Sequence, residues 1–149
     1  MTSSGENNAR GGDQDALSKA RLPSVLIVDD SRDSANTLSS LFGAYGYEVH
    51  VAYDWAIALE TAKAHLPDII LLDLGMPEMD GIHLALLFRE DEQLKDKLLI
   101  AVTGYADDTH RQQCEAAGFD GVLAKPVSWA DLESTIDRLW LKRKSRRLS

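Results

Sequence analysis

Five short apolar runs alternate with longer amphipathic stretches between Leu22 and Leu141. The runs occupy residues 25–28, 48–52, 69–72, 98–102 and 121–124. Most of them are continuously apolar and rich in β-branched residues, which is typical of strands covered on both faces. The pattern therefore predicts five short strands in a parallel sheet.

The stretches between the runs have helical spacing of their apolar residues. The first helix is predicted to begin after Ser31 or Asp33 and the second after a capping Asp54. A third begins near Gly81, a fourth spans about 107–117 and stops at Gly118, and a fifth begins near Trp129. The predicted buried faces are Leu38, Leu41, Phe42 and Tyr45 in the first helix, Ala58, Leu59, Ala62 and Leu66 in the second, and Trp129, Leu132, Ile136, Leu139 and Trp140 in the fifth.

Five successive strand–helix units require right-handed crossovers, with helices on both faces of one open sheet. The fold class predicted is therefore doubly wound α/β. Ligands of such sheets bind beyond the carboxyl ends of the strands, where the strand order reverses. Candidate chemistry is accordingly sought at those ends.

A chain of 149 residues has room for one domain of ordinary size. Residues 1–21 are rich in Ser, Gly, Asn and Asp and are predicted to be a flexible leader. Residues 22–141 form the predicted domain, and residues 142–149 form a basic C-terminal tail. That tail is interpreted as the solvated end of the last helix, and the alternative is a contact with an acidic partner or a membrane surface.

The distribution of charge argues against nucleic-acid binding. The net charge is −8, yet the tail carries +5 and the leader is neutral, which leaves −13 on residues 22–141. An acidic body of this size is a poor partner for a phosphate backbone.

No apolar stretch approaches the length of about 20 residues that a membrane-spanning helix needs. With one cysteine, Cys114, and no signal-like N-terminus, the expected location is cytoplasmic.

Polar residues follow four of the predicted strands. They are Asp29 and Asp30, Asp73, Thr103, and Lys125 before Pro126. Each has an ordinary interpretation when taken singly: the first pair could cap a helix, and an isolated Thr or Lys at a strand end is usually a loop residue. Asp73 is harder to explain so, because it ends the most apolar strand and a charge there needs compensation.

Taken together, the carboxylates predict a divalent metal site. Three carboxylates held close together repel, so either their pKa values rise or a cation neutralises them. One or two carboxylates, a backbone carbonyl and several waters make a site for Mg²⁺ rather than Ca²⁺. A carboxylate beside such an ion can attack a phosphoryl group and form an acyl phosphate, with the Lys125 ammonium balancing the developing charge.

Four segments together resemble the receiver domain of two-component response regulators. They are Val25-Leu-Ile-Val-Asp-Asp-Ser31, Ile70-Leu-Leu-Asp-Leu-Gly-Met-Pro-Glu-Met-Asp-Gly81, Val102-Thr-Gly-Tyr105 and Leu123-Ala-Lys-Pro126. The resemblance covers about residues 22–141 and implies the flavodoxin-like strand order 2-1-3-4-5. In motif the segments are most similar to receivers of hybrid histidine kinases, although Met1 and the leader favour a stand-alone receiver.

The resemblance also implies a role for each strand-end residue. Asp73 is expected to accept a phosphoryl group from a histidine kinase or phosphotransfer protein. The implied Mg²⁺ ligands are Asp29, Asp30, Asp73 and the backbone carbonyl of Gly75. Thr103 corresponds to the switch hydroxyl and Lys125 to the lysine that pairs with the acceptor or its phosphate. A cis peptide bond is expected before Pro126.

One position departs from the family's pattern. Three residues before the lysine, where the family often has Tyr or Phe, this sequence has Val122. Tyr105 could cover the site in its place or could be an ordinary aromatic at the rim. The departure keeps open an alternative, in which a degenerate receiver never accepts phosphate and acts as a protein-interaction module.

Two other site types are disfavoured. A haloacid-dehalogenase-type phosphatase needs a second Asp two residues after its nucleophile, where this chain has Gly75. A separate metal site lacks support because Cys114 has no CxxC partner and the histidines, His50, His65, His83 and His110, have no ligand spacing.

The expected protein is a phosphoacceptor switch rather than an enzyme with an external substrate, although it can catalyse its own phosphorylation and dephosphorylation. Its output would depend on a downstream effector protein that reads the fourth helix, fifth strand and fifth helix. A phosphorylation-dependent dimer is a further expectation, whereas direct contact with nucleic acid and membrane insertion are not expected.

Overall fold

The computed structural model describes residues 22–76 and 81–148. The leader predicted at residues 1–21 lies outside them. The described chain forms five strands and five helices in strict alternation, as the apolar pattern predicted.

The five strands form one parallel sheet. In chain order they are β1 Val25–Val28, β2 Val49–Ala52, β3 Ile69–Asp73, β4 Leu98–Thr103 and β5 Gly121–Ala124. The spatial order is β2-β1-β3-β4-β5, so the predicted order 2-1-3-4-5 is confirmed. Residue pairing aligns Val28 with Leu72 and Asp73 with Val102, which brings the carboxyl ends of β1, β3 and β4 to one edge.

The helices are α1 Arg32–Ala44, α2 Trp55–His65, α3 Gly81–Glu90, α4 Asp108–Ala116 and α5 Trp129–Leu148. Side chains cap four of their N-termini by accepting a hydrogen bond from a backbone N–H three residues on, and the cap of α5 is Ser128, which accepts from Asp131. Ser31 accepts from Ser34, Asp54 from Ile57 and Asp107 from His110. Of the two caps considered for the first helix, Ser31 is the one used.

Apolar side chains cover both faces of the sheet. Strand residues alternate between two core clusters, so that Leu26 and Val28 face α2, α3 and α4, while Val25 and Ile27 face α1 and α5. This alternation explains why the strands read as unbroken apolar runs. Leu132, Ile136 and Leu139 are buried in α5, and Trp129 and Trp140 pack against the same cluster as predicted.

The buried face predicted for the first helix is partly wrong. Phe42 is fully buried, but Leu41 is 36% exposed and Tyr45 is 53% exposed. The fully buried partner of Phe42 is instead Ala35, whose small side chain lies against the sheet. In the second helix Ala58 and Ala62 are buried as predicted, whereas Leu66 is its exposed C-terminal cap.

An aromatic cluster joins the start of α5 to α1. The Trp129 ring stacks on Tyr45 with centroids 4.7 Å apart and meets Phe42 edge-on at 5.0 Å. Tyr47 lies edge-on to Phe42 at 5.1 Å. Such pairs add about 0.5–1.5 kcal/mol each beyond the area they bury. The cluster therefore fixes α5 against α1 immediately after the loop that carries Lys125.

At the opposite end of the sheet, Arg89 ties three segments together. Its guanidinium donates hydrogen bonds to the backbone carbonyls of Lys95, Lys97 and Gly118 and to the carboxylate of Asp120. The same Asp120 oxygen accepts from the backbone N–H of Leu99 in β4. These bonds fasten the turns that precede β4 and β5.

The last helix extends beyond the predicted domain boundary at residue 141. It continues to Leu148, so residues 142–148 prolong α5. None of the helices in the two described ranges is both long and apolar enough to span a membrane.

Candidate functional site

Asp73 lies at the carboxyl end of the central strand β3. The four preceding residues are at most 2% exposed, and Asp73 itself is 5% exposed. On the neighbouring strand β1 the chain passes directly into Asp29, which is also 5% exposed and whose N–H donates to the carbonyl of Ala52. The sheet thus holds two buried carboxylates side by side at the carboxyl ends of its inner strands β1 and β3.

Asp30 completes a group of three carboxylates. One oxygen from each of Asp29, Asp30 and Asp73 lies within 4.8 Å of the others. Asp30 is exposed and the other two are buried. Burial raises the pKa of Asp29 from 3.8 to about 6, the hydrogen bond from the Ser31 N–H opposes this, and the nearby Asp73 charge adds to it. Burial and the neighbouring Asp73 charge therefore both disfavour the ionised form of Asp29.

Lys125 supplies a compensating charge. Its Nζ lies 2.9 Å from Oδ1 of Asp73, and the Gly75 N–H donates to the same oxygen at 2.9 Å. The peptide bond between Lys125 and Pro126 is cis, as the resemblance implied. A Cβ at Gly75 would lie 3.3 Å from Asp73 Oδ1, so this glycine leaves one side of the carboxylate open.

Thr103 ends β4 next to Asp73 and is 3% exposed. Its Oγ1 accepts a hydrogen bond from the Tyr105 N–H at 3.0 Å and lies 3.2 Å from Nε2 of His110. Its backbone carbonyl accepts from the Lys125 N–H at 2.8 Å, which links the two strand ends. His110 was not among the predicted site residues, and nothing in its sequence spacing indicates this contact.

The position of Tyr105 settles which of its two interpretations holds here. Its side chain is 77% exposed, so it lies at the rim and does not cover the site. Val122, at the position where the family often has an aromatic residue, packs half-buried against the core.

A groove runs beside the site between α1 and the loop after β5. It has a volume of about 610 Å³ and opens next to Asp29 and Lys125. Its apolar lining comes from Leu38 and Leu41 of α1 and from Pro126 and Val127 of the loop. An apolar surface is thus within reach of a molecule that approaches Asp73.

The donor set fits Mg²⁺. Carboxylate oxygens are hard ligands, and a magnesium site typically uses one or two of them and fills its remaining positions with water and phosphate. The oxygens of Asp29, Asp30 and Asp73 lie close enough to one another to supply such ligands around a single ion. Within the described ranges this is the one group of three or more acidic, His or Cys side chains placed to hold an ion.

Two histidines whose sequence spacing gave no sign of a shared site lie in contact. The rings of His50 in β2 and His65 in α2 stack with centroids 3.9 Å apart, and His50 Nε2 lies 3.1 Å from the Glu48 carboxylate. They meet because α2 returns along β2, a proximity that spacing along the chain does not reveal. The pair lies outside the carboxylate group.

The architecture and the strand-end residues define a receiver domain. The family model of the response regulator receiver domain matches residues 25–137, and the chain belongs to this family. Receiver domains serve two-component signalling as phosphoacceptor switches.

Individual relatives agree with this assignment. The polar-differentiation response regulator DivK of Brucella ovis is 32% identical over 105 residues, which cover 70% of this chain and 85% of that protein. The structure of the chemotaxis protein CheY4 of Vibrio cholerae has a TM-score of 0.75 at 31% identity and covers 79% of this chain and 98% of that one. The receiver domain of a signal transduction histidine kinase from Syntrophus aciditrophicus has a TM-score of 0.71 at 28% identity, covering 79% and 89%.

Proposed function

We propose that this receiver domain accepts a phosphoryl group on Asp73 from a histidine kinase or a histidine-containing phosphotransfer protein. Asp29, Asp30, Asp73 and the backbone carbonyl of Gly75 would hold Mg²⁺. The observation that carries the proposal is the pairing of a 5%-exposed Asp73 carboxylate with the Lys125 ammonium at 2.9 Å, inside a group of three carboxylates.

The transfer requires a nucleophile that is charged and oriented. A carboxylate oxygen of Asp73 forms the new bond to phosphorus while the bond from phosphorus to the donor's imidazole nitrogen breaks, and that nitrogen keeps the electron pair. Lys125 and the Gly75 N–H hold Oδ1 in place and oppose the negative charge of the incoming phosphoryl oxygens. When bound, Mg²⁺ supplies further positive charge at the same oxygens.

Phosphorylation is expected to change the position of Thr103. A phosphoryl group on Asp73 offers charged oxygen acceptors at the end of the neighbouring strand. A hydrogen bond to a charged group contributes on the order of 1.5–3 kcal/mol, enough to shift a two-state loop equilibrium by roughly tenfold to a hundredfold. An effector that reads α4, β5 and α5 would then distinguish the two states.

The groove between α1 and the loop after β5 is suited to the phosphodonor. Its apolar residues Leu38, Leu41, Pro126 and Val127 lie beside Asp29 and Lys125. A donor protein that buries them would place its phosphohistidine next to Asp73. Apolar contact of this kind supplies affinity without adding charge near the carboxylates.

Small-molecule phosphorylation tests the proposal. Incubation with acetyl phosphate and Mg²⁺ should add one base-labile phosphoryl group, detected as a mass increase of the intact chain. Asp73→Asn should abolish the increase, whereas Asp131→Asn, which removes an exposed carboxylate from α5, should leave it unchanged. Wild-type protein that stays unmodified, or an Asp73→Asn chain that is still modified, would overturn the proposal, and the first outcome would favour the interaction module.

A further inference from the structure

The hydroxyl of Thr103 already has two hydrogen-bond partners. The Tyr105 N–H donates to Oγ1 at 3.0 Å, and His110 Nε2 lies 3.2 Å from the same atom. A hydroxyl has one proton to donate and two lone pairs. With one lone pair occupied by Tyr105, the contact with His110 decides whether the hydroxyl proton is free.

The two tautomers of His110 have opposite consequences. When Nε2 bears no proton it accepts the Thr103 proton, and the hydroxyl has none left for a phosphoryl oxygen. When Nε2 bears a proton it donates to the second lone pair, and the hydroxyl proton is free. The imidazole and a phosphoryl group on Asp73 therefore compete for the Thr103 hydroxyl proton only when Nε2 of His110 bears no proton.

The fold holds His110 where it can compete. Its backbone N–H donates to Oδ1 of the capping Asp107 at 2.8 Å, which fixes the first turn of α4. The next residue, Arg111, donates to the carbonyls of Ala106 and Val122 and so ties that turn to β5. His110, a half-buried residue, thereby faces from a fixed backbone the hydroxyl of Thr103, a residue that is 3% exposed.

We propose that His110 is a positioning residue that accepts the Thr103 hydroxyl proton in the unphosphorylated protein and so resists engagement of this hydroxyl with a phosphoryl group on Asp73. This inference rests on the proposed function, because it concerns the switch at the same site. His110 would set the balance between the two states without touching the phosphoryl group.

Binding of beryllofluoride, a phosphoryl mimic, measures that balance in the full chain with Mg²⁺. His110→Ala removes the competing acceptor, so beryllofluoride should bind roughly twofold to tenfold more tightly, the factor expected for one net hydrogen bond. His110→Gln, which retains an acceptor of similar reach, should stay near the wild type. Gln112→Ala, an exposed change on the same helix, is the matched control and should have no effect.

A double-mutant cycle separates a specific role from a structural one. In a Thr103→Ala background His110→Ala should change the affinity by less than about twofold, because the competing proton is gone. If His110→Ala raises the affinity for beryllofluoride equally in both backgrounds, or does not raise it in the wild-type background, the proposed role of His110 is overturned.

The ring nitrogens of His110 provide a readout that requires no variant. Their ¹⁵N shifts should show Nε2 without a proton and hydrogen-bonded before beryllofluoride is added, and released from that bond afterwards. A protonated Nε2 in the unliganded protein would overturn the inference. If the wild type binds beryllofluoride and is phosphorylated while these tests fail, only the role of His110 is lost; if it does neither, the proposed function fails as well.

Discussion

The Lys125 ammonium and the Asp73 carboxylate form an ion pair of 2.9 Å at the junction of β3 and the loop after β5. The carboxylate is only 6% exposed and the lysine side chain 44%. The Lys125 charge also favours the ionised form of Asp29, the second buried carboxylate of the group, by lowering its pKa slightly against the larger effect of burial. The pair therefore contributes both to stability and to the orientation of the Asp73 carboxylate.

Removal of the Lys125 charge should affect stability and phosphorylation together. In Lys125→Met the free energy of unfolding of the metal-free protein should fall by about 1–3 kcal/mol, since a buried carboxylate loses its partner. Phosphorylation by acetyl phosphate should slow at least about tenfold. Urea denaturation and intact mass measure the two effects.

The matched control is Lys63→Met. It removes a surface ion pair with Asp91 of 3.2 Å and should cost less than about 1 kcal/mol. Equal losses of stability in the two variants would contradict the role given to Lys125.

Asp30 should matter for the metal and not for the fold. It is the exposed member of the carboxylate group, so Asp30→Asn should leave stability within about 0.5 kcal/mol of the wild type. The affinity for Mg²⁺ should fall by about tenfold or more, because one of the ligands loses its charge. Calorimetric titration measures the affinity, and Asp137→Asn, which removes an exposed carboxylate from α5, serves as the control. An Asp30→Asn chain with wild-type Mg²⁺ affinity would rule out this ligand.

Asp29 should make the stability of the metal-free protein depend on pH. Its pKa is raised from 3.8 to about 6, mainly by burial, so the folded protein binds a proton more tightly than the unfolded chain. Asp29 therefore contributes stability that is full below about pH 4 and is lost as the pH rises through about 6. The loss should be at most about 3 kcal/mol.

Asp29→Asn isolates this contribution. Denaturation in the presence of a chelator should show wild type losing stability relative to the variant between about pH 4 and pH 7. Saturating Mg²⁺ should reduce the difference, since the ion favours the charged carboxylate. If the difference in the free energy of unfolding between wild type and variant is constant across this pH range, the assignment is refuted.

Arg89 should be important for stability alone. Arg89→Ala leaves the carbonyls of Lys95, Lys97 and Gly118 without their donor and should lower the free energy of unfolding by about 2–4 kcal/mol. Phosphorylation of the folded protein should be unchanged, because Arg89 lies at the opposite end of the sheet. Thermal denaturation measures the stability, and intact mass measures the phosphorylation. A loss of phosphorylation in folded Arg89→Ala protein would contradict the expectation that Arg89 affects stability alone.

Much of the fold could be predicted because the strands are buried on both faces. Only apolar runs such as residues 25–28 and 69–72 satisfy that condition, and the structure ends each of them within one residue of the predicted bounds. The first helix was harder, since a periodic pattern does not show which flank meets the sheet. Ala35 allows close approach there, and Tyr45 instead stacks on Trp129.

The strand-end residues of the site could likewise be predicted, because parallel strands bring their carboxyl ends to one edge. Asp29, Asp73, Thr103 and Lys125 all lie there. His110 could not be predicted, since its contact with Thr103 depends on the path of the loop between β4 and α4. The stacking of His50 on His65 depends in the same way on how α2 returns along β2.

The Trp129 cluster has a practical consequence for the study of this protein. The indole lies between α1 and the start of α5, four residues after Lys125, and stacks on Tyr45. Displacement of the Lys125 loop would alter this stacking and thereby the emission of the indole. In a chain with Trp55 and Trp140 replaced, the fluorescence of Trp129 can therefore follow the site in real time, with no attached dye.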